Sequence, residues 1–344
     1  MHRIIVYSNS DWAAKSDAEI EFRKIKELRS TGFSALLNVL YMTIFLKSRP
    51  VDQIFIINPF LRHMLPLALY RATGGKAQII YYDLNLKKPG SLKSYYLSKI
   101  KAVMLGFADR IICMHKDIRD LQKYYKIDQR KVRYVAFKAN NFESREQHCV
   151  RDAGYVLSCG VSHRDYDLLL NAASACQGEV RIICPSSLYQ TYMKARTIPA
   201  NVRLLKHEEV NIQAWYDLIA GAKFVVLPIE KDCIYPAGTS VYLEAMMLKK
   251  AVILSDGPSS NGLIGPDVAL IVRRGDEFQL RRAIKRLYED AEARSAFARN
   301  GYNFAKRLQG EERLIRDLKS ELKLVYKIAE KQLQLSPRPS LNRL

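Results

Sequence analysis

Apolar residues in this chain come as short unbroken runs, separated by longer stretches in which apolar positions recur every three or four residues. The short runs suit strands covered on both faces, and the longer periodic stretches suit amphipathic helices. Strands are expected at Arg3–Tyr7, Gln53–Ile57, Gln78–Tyr82, Arg110–Cys113 and Val132–Ala136 in the first part of the chain. A second series is expected at Tyr155–Ser158, Val180–Cys184, Val202–Leu205, Phe224–Pro228, Ala251–Leu254 and Ala269–Val272. Between them the pattern predicts helices at Asp17–Ser30, Ser91–Gly106, Ile118–Tyr125, Asp165–Cys176, Gln213–Ala220, Ser240–Leu248 and Glu277–Asp290. Strands alternating with helices build βαβ units around a parallel sheet. Two such series in succession imply an α/β protein made of two doubly wound, Rossmann-like domains.

The polar stretch Lys138–Ala153 separates the two series, which places the domains at 1–145 and 146–309. Residues 310–334 read as one long amphipathic helix with Leu314, Leu318, Leu322, Val325 and Ala329 on a stripe. The tail, 335–344, has little to pack and is expected to be disordered. Phe33–Leu46 is apolar nearly all round but spans only 14 residues and contains Ser34, Asn38 and Thr43. A membrane-spanning helix needs about 20. The segment therefore suits either a buried helix or an interfacial anchor.

Charge changes this picture. The 344 residues carry 55 Lys and Arg against 35 Asp and Glu, net +20, with a pI of about 9.6. Residues 1–150 hold 26 basic and 13 acidic side chains, net +13, and the rest is net +7. Such an excess fits nucleic acid, an anionic membrane surface or phosphate-bearing small molecules, or simply a basic solvated face. Lys87–Lys101 interleaves five lysines with Tyr95, Tyr96, Leu97 and Ile100. That mixture suits an anionic headgroup surface or a phosphorylated lipid as well as it suits an ordinary solvated helix. No recognised nucleic-acid motif accompanies the charge, so no nucleic acid is expected as a partner. The six cysteines include no CxxC pair, which points to thiols in a reducing compartment. The N-terminus lacks the signal-peptide pattern, and a cytoplasmic location is expected.

Candidate chemistry concentrates in Ala237–Ser255, AGTSVYLEAMMLKKAVILS. Gly238, Thr239 and Ser240 open a helix, whose unpaired N–H groups and positive dipole end accept phosphate. Glu244 lies about one turn further in, within reach of a ribose whose diphosphate sits at the helix start.

LEAMMLKKAVILSDGP resembles the glutamate-alanine-methionine signature of glycosyltransferase family 4 and its GT-B relatives. Tyr155–Leu169, with its glycine loop at Gly160, resembles the start of that family's C-terminal domain; Val268–Arg286 resembles its end, and Phe107–Cys113 a late step of its N-terminal domain. The resemblance covers about residues 77–330. It implies a GT-B architecture, two Rossmann-like domains facing a central cleft, with the long C-terminal helix crossing back to the first domain.

It also implies a nucleotide-diphosphate sugar as donor, gripped at Gly160, Gly238, Thr239, Ser240 and Glu244. Arg164, the basic residue nearest the glycine loop, would neutralise the diphosphate. Topology adds Ser186 and His207 to the base pocket. The family places a second glutamate eight positions before the signature glutamate; here that position is Pro236.

In the first domain, Asp83 at a strand end would act as general base in an inverting enzyme, or orient a substrate in a retaining one. Ser10 and Asp11 follow the first strand. Asp11, Lys87, Lys88, Tyr95 and Tyr96 would meet an acceptor or a membrane. The resulting expectation is a retaining, metal-independent glycosyltransferase that needs no cofactor. It would transfer sugar to a saccharide or polyprenyl-linked acceptor at the inner face of the membrane, in cell-surface polysaccharide biosynthesis. The alternatives are a catalytically silent GT-B scaffold subunit and a basic nucleic-acid-binding protein.

Overall fold

The structure, a computed structural model, describes residues 3–10, 12–25, 43, 44, 46, 54–58, 60–195 and 198–335. The chain packs as two units, one of residues 1–114, 119–135 and 315–344, the other of 115–118 and 136–314. Residues 136–145 thus go with the second unit. Asp11, most of Phe33–Leu46 and the tail after Leu335 lie outside the described residues.

In the first unit, β1 (Ile4–Ser8), β2 (Ile20–Lys24), β3 (Ile54–Ile57), β4 (Gln78–Tyr82), β5 (Arg110–Cys113) and β6 (Val132–Tyr134) form one sheet. Its order is β2-β1-β3-β4-β5-β6, and the neighbours run parallel, with Val6 opposite Ile54 and Ile80 opposite Arg110. Helices α1 (Leu61–Ala72), α2 (Leu92–Gly106) and α3 (Arg119–Tyr125) connect the strands.

The second unit repeats the plan with β7 (Val156–Cys159), β8 (Val180–Cys184), β9 (Val202–Lys206), β10 (Phe224–Leu227), β11 (Val252–Ser255) and β12 (Leu270–Val272). The order is β12-β11-β10-β7-β8-β9. Its helices are α4 (Tyr166–Ala172), α5 (Ser186–Ala195), α6 (Ile212–Gly221), α7 (Thr239–Met247), α8 (Glu277–Glu289), α9 (Ala291–Leu308) and the start of α10 (Glu311–Leu335).

These strands form because both faces are covered. Every residue of β7, β10 and β11 is buried, and an unbroken apolar run tolerates that environment. Helix α7 is buried from Val241 to Met247, wedged among Leu157, Val225, Leu227 and Leu254 of the sheet and Trp215 and Tyr216 of α6. The rest of α10 goes with the first unit, where Leu318, Leu322 and Val325 are buried and Lys319 and Lys323 pair with Asp17 and Glu19.

The expected strands recur within a residue or two. The expected helix Asp17–Ser30 does not form over its described part. There the chain makes β2, because Ile20 and Phe22 are buried while Glu21 and Arg23 face outward, an alternation of period two.

Each sheet reverses its strand order once, between β1 and β3 and between β7 and β10. Loops leaving the carboxyl ends of the strands on either side of such a reversal diverge and leave a crevice.

Candidate functional site

In the second unit the loops after β7 and β10 meet at this reversal. Gly160 leaves β7 at φ 127°, His163 turns the chain at φ 52°, and Arg164 forms a single antiparallel bridge with Ile229. The Arg164 side chain then folds back under its own loop. Its Nε donates to the Cys159 carbonyl at 3.1 Å and its Nη1 to the Ser162 carbonyl at 2.8 Å. A Cβ on Gly160 would stand 2.4 Å from Arg164 Nη2, and one on Gly238 3.6 Å from both Nη atoms.

The guanidinium is therefore lodged between two glycines, and Arg164 as a residue is 8% exposed. It forms no ion pair among the described residues, and Nη2 has no acceptor there. A guanidinium seated this way, with Nη2 not spent on a protein acceptor, can offer that nitrogen to an anion. Gly160→Ala tests how tightly the site is drawn. The strained φ and the clash should destabilise the protein by about 1–3 kcal/mol and weaken anion binding with it. Chemical denaturation and calorimetric titration would read both, and unchanged binding would show that the glycine is not needed to seat the arginine.

Helix α7 begins at the same place. Its cap, Gly238, sits at φ 89° and offers no side chain to the first turn. Tyr242 is the first residue of the helix to donate back to a carbonyl, that of Gly238, so the N–H groups of Thr239, Ser240 and Val241 stay open, at the positive end of the helix dipole. Thr239 Oγ1 donates to the Pro236 carbonyl at 2.8 Å. Gly160, Arg164, Gly238, Thr239 and Ser240 are thus brought together at one place, a candidate anion cradle.

Glu244 is 5% exposed, and both of its carboxylate oxygens are engaged. Asn140 Nδ2 donates to Oε1 at 2.7 Å and Trp215 Nε1 to Oε2 at 2.9 Å, while Asn141 Nδ2 holds the Glu244 backbone carbonyl at 3.1 Å. Burial raises its carboxyl above the usual range against the pull of these donors. Each oxygen keeps a second lone pair free for a further hydrogen-bond donor. His207 stands edge-on to Trp215, with centroids 5.5 Å apart, and its buried Nδ1 has no hydrogen-bond partner among the described residues. Ser186 is placed differently. Its N–H and hydroxyl both bind the Glu208 carboxylate, tying the loops after β8 and β9 together.

Asn140, Asn141 and Trp215 had no signal in the local sequence. Nor did Glu230, whose Oε2 lies 2.6 Å from His163 Nδ1 and whose backbone N–H donates to the His163 carbonyl at 3.1 Å. Cys159 is fully buried, which pushes its thiol well up and leaves it inert. All six cysteines are unpaired. Among the described residues no three His, Cys, Asp or Glu side chains could hold a metal ion. An open depression of about 560 Å³ lies along β12 and α8, lined by Leu270, Gln279, Arg282 and Arg286 among others. None of the cradle residues lines it.

The first unit has a polar cluster at its own reversal. Asn9 bonds the Asn58 backbone at both its N–H and its carbonyl, and Ser10 Oγ donates to Asn58 Oδ1 at 2.9 Å. Asp83 directly follows β4, in the left-handed region at φ 53°, a conformation aspartate tolerates better than most side chains. Burial raises its carboxyl, and Asn85 is a distant donor at 3.5 Å. Lys87 and Lys88 are exposed on the loop that follows. Tyr95 and Tyr96 stand on α2, 49% and 65% exposed. His115 is buried, and burial lowers its pKa to about 4, so the ring is neutral near pH 7.

Residues 186–304 match the family described as Glycosyl transferases group 1. No curated protein matches the sequence. Among solved structures, a glycosyltransferase from Rickettsia africae is similar over 96% of this chain and 91% of its own, with TM-score 0.65 and 15% identity. HepE from Anabaena, solved in complex with UDP, matches over 94% of this chain and 100% of its own, with TM-score 0.68 and 14% identity. The lipopolysaccharide outer core galactosyltransferase WaaB, in its apo form, matches over 94% and 99%, with TM-score 0.65 and 13% identity. The chain therefore has the GT-B fold of these glycosyltransferases, and its residues 186–304 carry the match to glycosyl transferases group 1.

Proposed function

We propose that this protein transfers a sugar from a nucleotide-diphosphate sugar, bound in the second unit, to a saccharide or lipid-linked saccharide acceptor. The observation that carries this reading is the Arg164 guanidinium, seated between Gly160 and Gly238, beside the open first turn of α7. The diphosphate would lie across Arg164 Nη2 and the N–H groups of Thr239 and Ser240, with the ribose on Glu244. As the bond from the sugar's anomeric carbon to the diphosphate breaks, negative charge grows on the leaving oxygens. An arginine and a helix terminus already aimed there stabilise that charge without reorganising, so the reading calls for no metal. Retention of configuration belongs to the same proposal.

The acceptor is assigned to the first unit, where burial makes Asp83 a stronger base than an ordinary aspartate. It would take the acceptor proton in an inverting reaction or orient a substrate in a retaining one. The net charge of +13 on residues 1–150 favours an acceptor at an anionic membrane surface, on the cytoplasmic side, as in cell-surface polysaccharide assembly.

A thermal-shift panel of nucleoside diphosphates and their sugars tests the donor site, since a ligand of the native state raises the melting temperature by mass action. A shift with one nucleotide family is expected; no shift with any would remove the reading. Pro236, at the position where the family places a glutamate, favours one rival, a silent scaffold. That rival predicts nucleotide binding with no nucleoside diphosphate released from the sugar donor.

A further inference from the structure

The outward face of α2 is apolar in a way its packed face does not require. Leu92 is 80% exposed, Val103 66% and Tyr96 65%, with Ile100 and Tyr95 half exposed, while Ser98, Met104 and Leu105 are buried. At about 100° per residue, positions 92, 96 and 103 fall on one stripe and position 100 at its edge. A helix that serves only its own core shows the opposite arrangement. The element is firmly built. Ser91 and Ser94 close a capping box at its start, and the Tyr125 hydroxyl holds the Lys87 carbonyl at 2.6 Å.

Charge frames the stripe. From Leu84 to Gly106 there are five lysines and no acid. Lys99 Nζ lies 4.7 Å from the Tyr95 ring centroid. Lys101 has its pKa lowered by burial and by the neighbouring Lys87. Neither Lys87 nor Lys101 forms an ion pair among the described residues.

No helix among the described residues is long and apolar enough to cross a membrane. A 15-residue helix with an apolar stripe, flanking lysines and tyrosines matches the kind that lies in an interface. Tyrosine, apolar in its ring and polar at its tip, belongs at headgroup depth. A second copy of the chain would set five lysines against five. Lipid phosphates offer the lysines a favourable surface, and the acyl boundary covers the stripe.

We propose that this face of α2 docks on an anionic bilayer, with Leu92, Tyr96 and Val103 at the acyl boundary and Lys87, Lys88, Lys93 and Lys99 on lipid phosphates. The proposal rests on the membrane-surface part of the functional reading and not on the donor site. Its test is co-sedimentation of the full chain with phosphatidylcholine vesicles, with and without phosphatidylglycerol. The protein binds the anionic vesicles only, and added salt weakens the binding. The triple variant Leu92→Gln, Tyr96→Gln, Val103→Gln and the triple variant Lys87→Gln, Lys88→Gln, Lys93→Gln each lose at least about tenfold in partitioning. Both keep the unfolding temperature of the parent, since all six side chains are exposed.

Failure of the parent to bind anionic vesicles overturns the proposal, as an acidic protein partner would require. So does undiminished binding by the apolar-face variant. Vesicle binding without any nucleotide shift would refute the donor reading and leave the docking face standing; the reverse result would do the opposite.

Discussion

Exchanging Arg164 for methionine is expected to weaken nucleoside-diphosphate binding by roughly 30-fold or more, because truncating one member of a buried charge pair costs about 2–5 kcal/mol. The unliganded protein should change much less. Methionine removes a desolvated cation, which helps, and leaves the Cys159 and Ser162 carbonyls without their donors, which hurts by about 1–3 kcal/mol for each. The two effects oppose each other. Arg164→Lys should fall between, since an ammonium keeps the charge but cannot hold both carbonyls and still reach a phosphate. Calorimetric titration beside urea denaturation separates the outcomes. An arginine that merely braces its loop would show the reverse pattern, lost stability with affinity intact.

Glu244→Ala should lower the melting temperature of the second unit by about 5–15 °C. The change orphans two buried donors, the Trp215 indole and the Asn140 amide, and opens a cavity, for a total of about 2–5 kcal/mol. At this size each kcal/mol moves the transition by about 2–4 °C. Glu244→Gln is milder but still unfavourable, since its amide nitrogen must face one of those donors.

The acid form gives a second readout. Burial raises the folded carboxyl above the ordinary glutamate value of 4.5. Its favourable contribution is therefore fully present below that pH and is lost as pH rises through the raised value. The advantage of the parent over Glu244→Gln should shrink across that window. Calorimetric scans from pH 4 upward would show it, and a constant difference would mean that the carboxyl titrates normally.

Most of the architecture was legible because strands covered on both faces leave unbroken apolar runs such as Phe224–Leu227 and Val252–Ser255. Strand β2 was not, since IEFRK carries three charges in five residues and reads as a helix until its alternation is noticed. In the site, Gly238 and Arg164 were legible because glycine and arginine announce themselves locally. The grip on Glu244 was not. Trp215 lies 29 positions away and Asn140 104, and only the fold of the sheet brings them together. Around Ser186, topology indicated a loop position but not the contact, since its N–H and hydroxyl both meet Glu208 22 positions away.

The long C-terminal helix has a consequence for how the protein is made. Its first residues belong with the second unit, but from residue 315 it belongs with the first, where Leu318 and Leu322 are almost wholly shielded. On the ribosome the first sheet emerges early, yet one of its covering elements is synthesised after the whole second unit. The first unit must wait, incompletely clad, while its neighbour folds. During that interval its uncovered apolar surface is the natural target of chaperones, so the domain that is translated first is completed last.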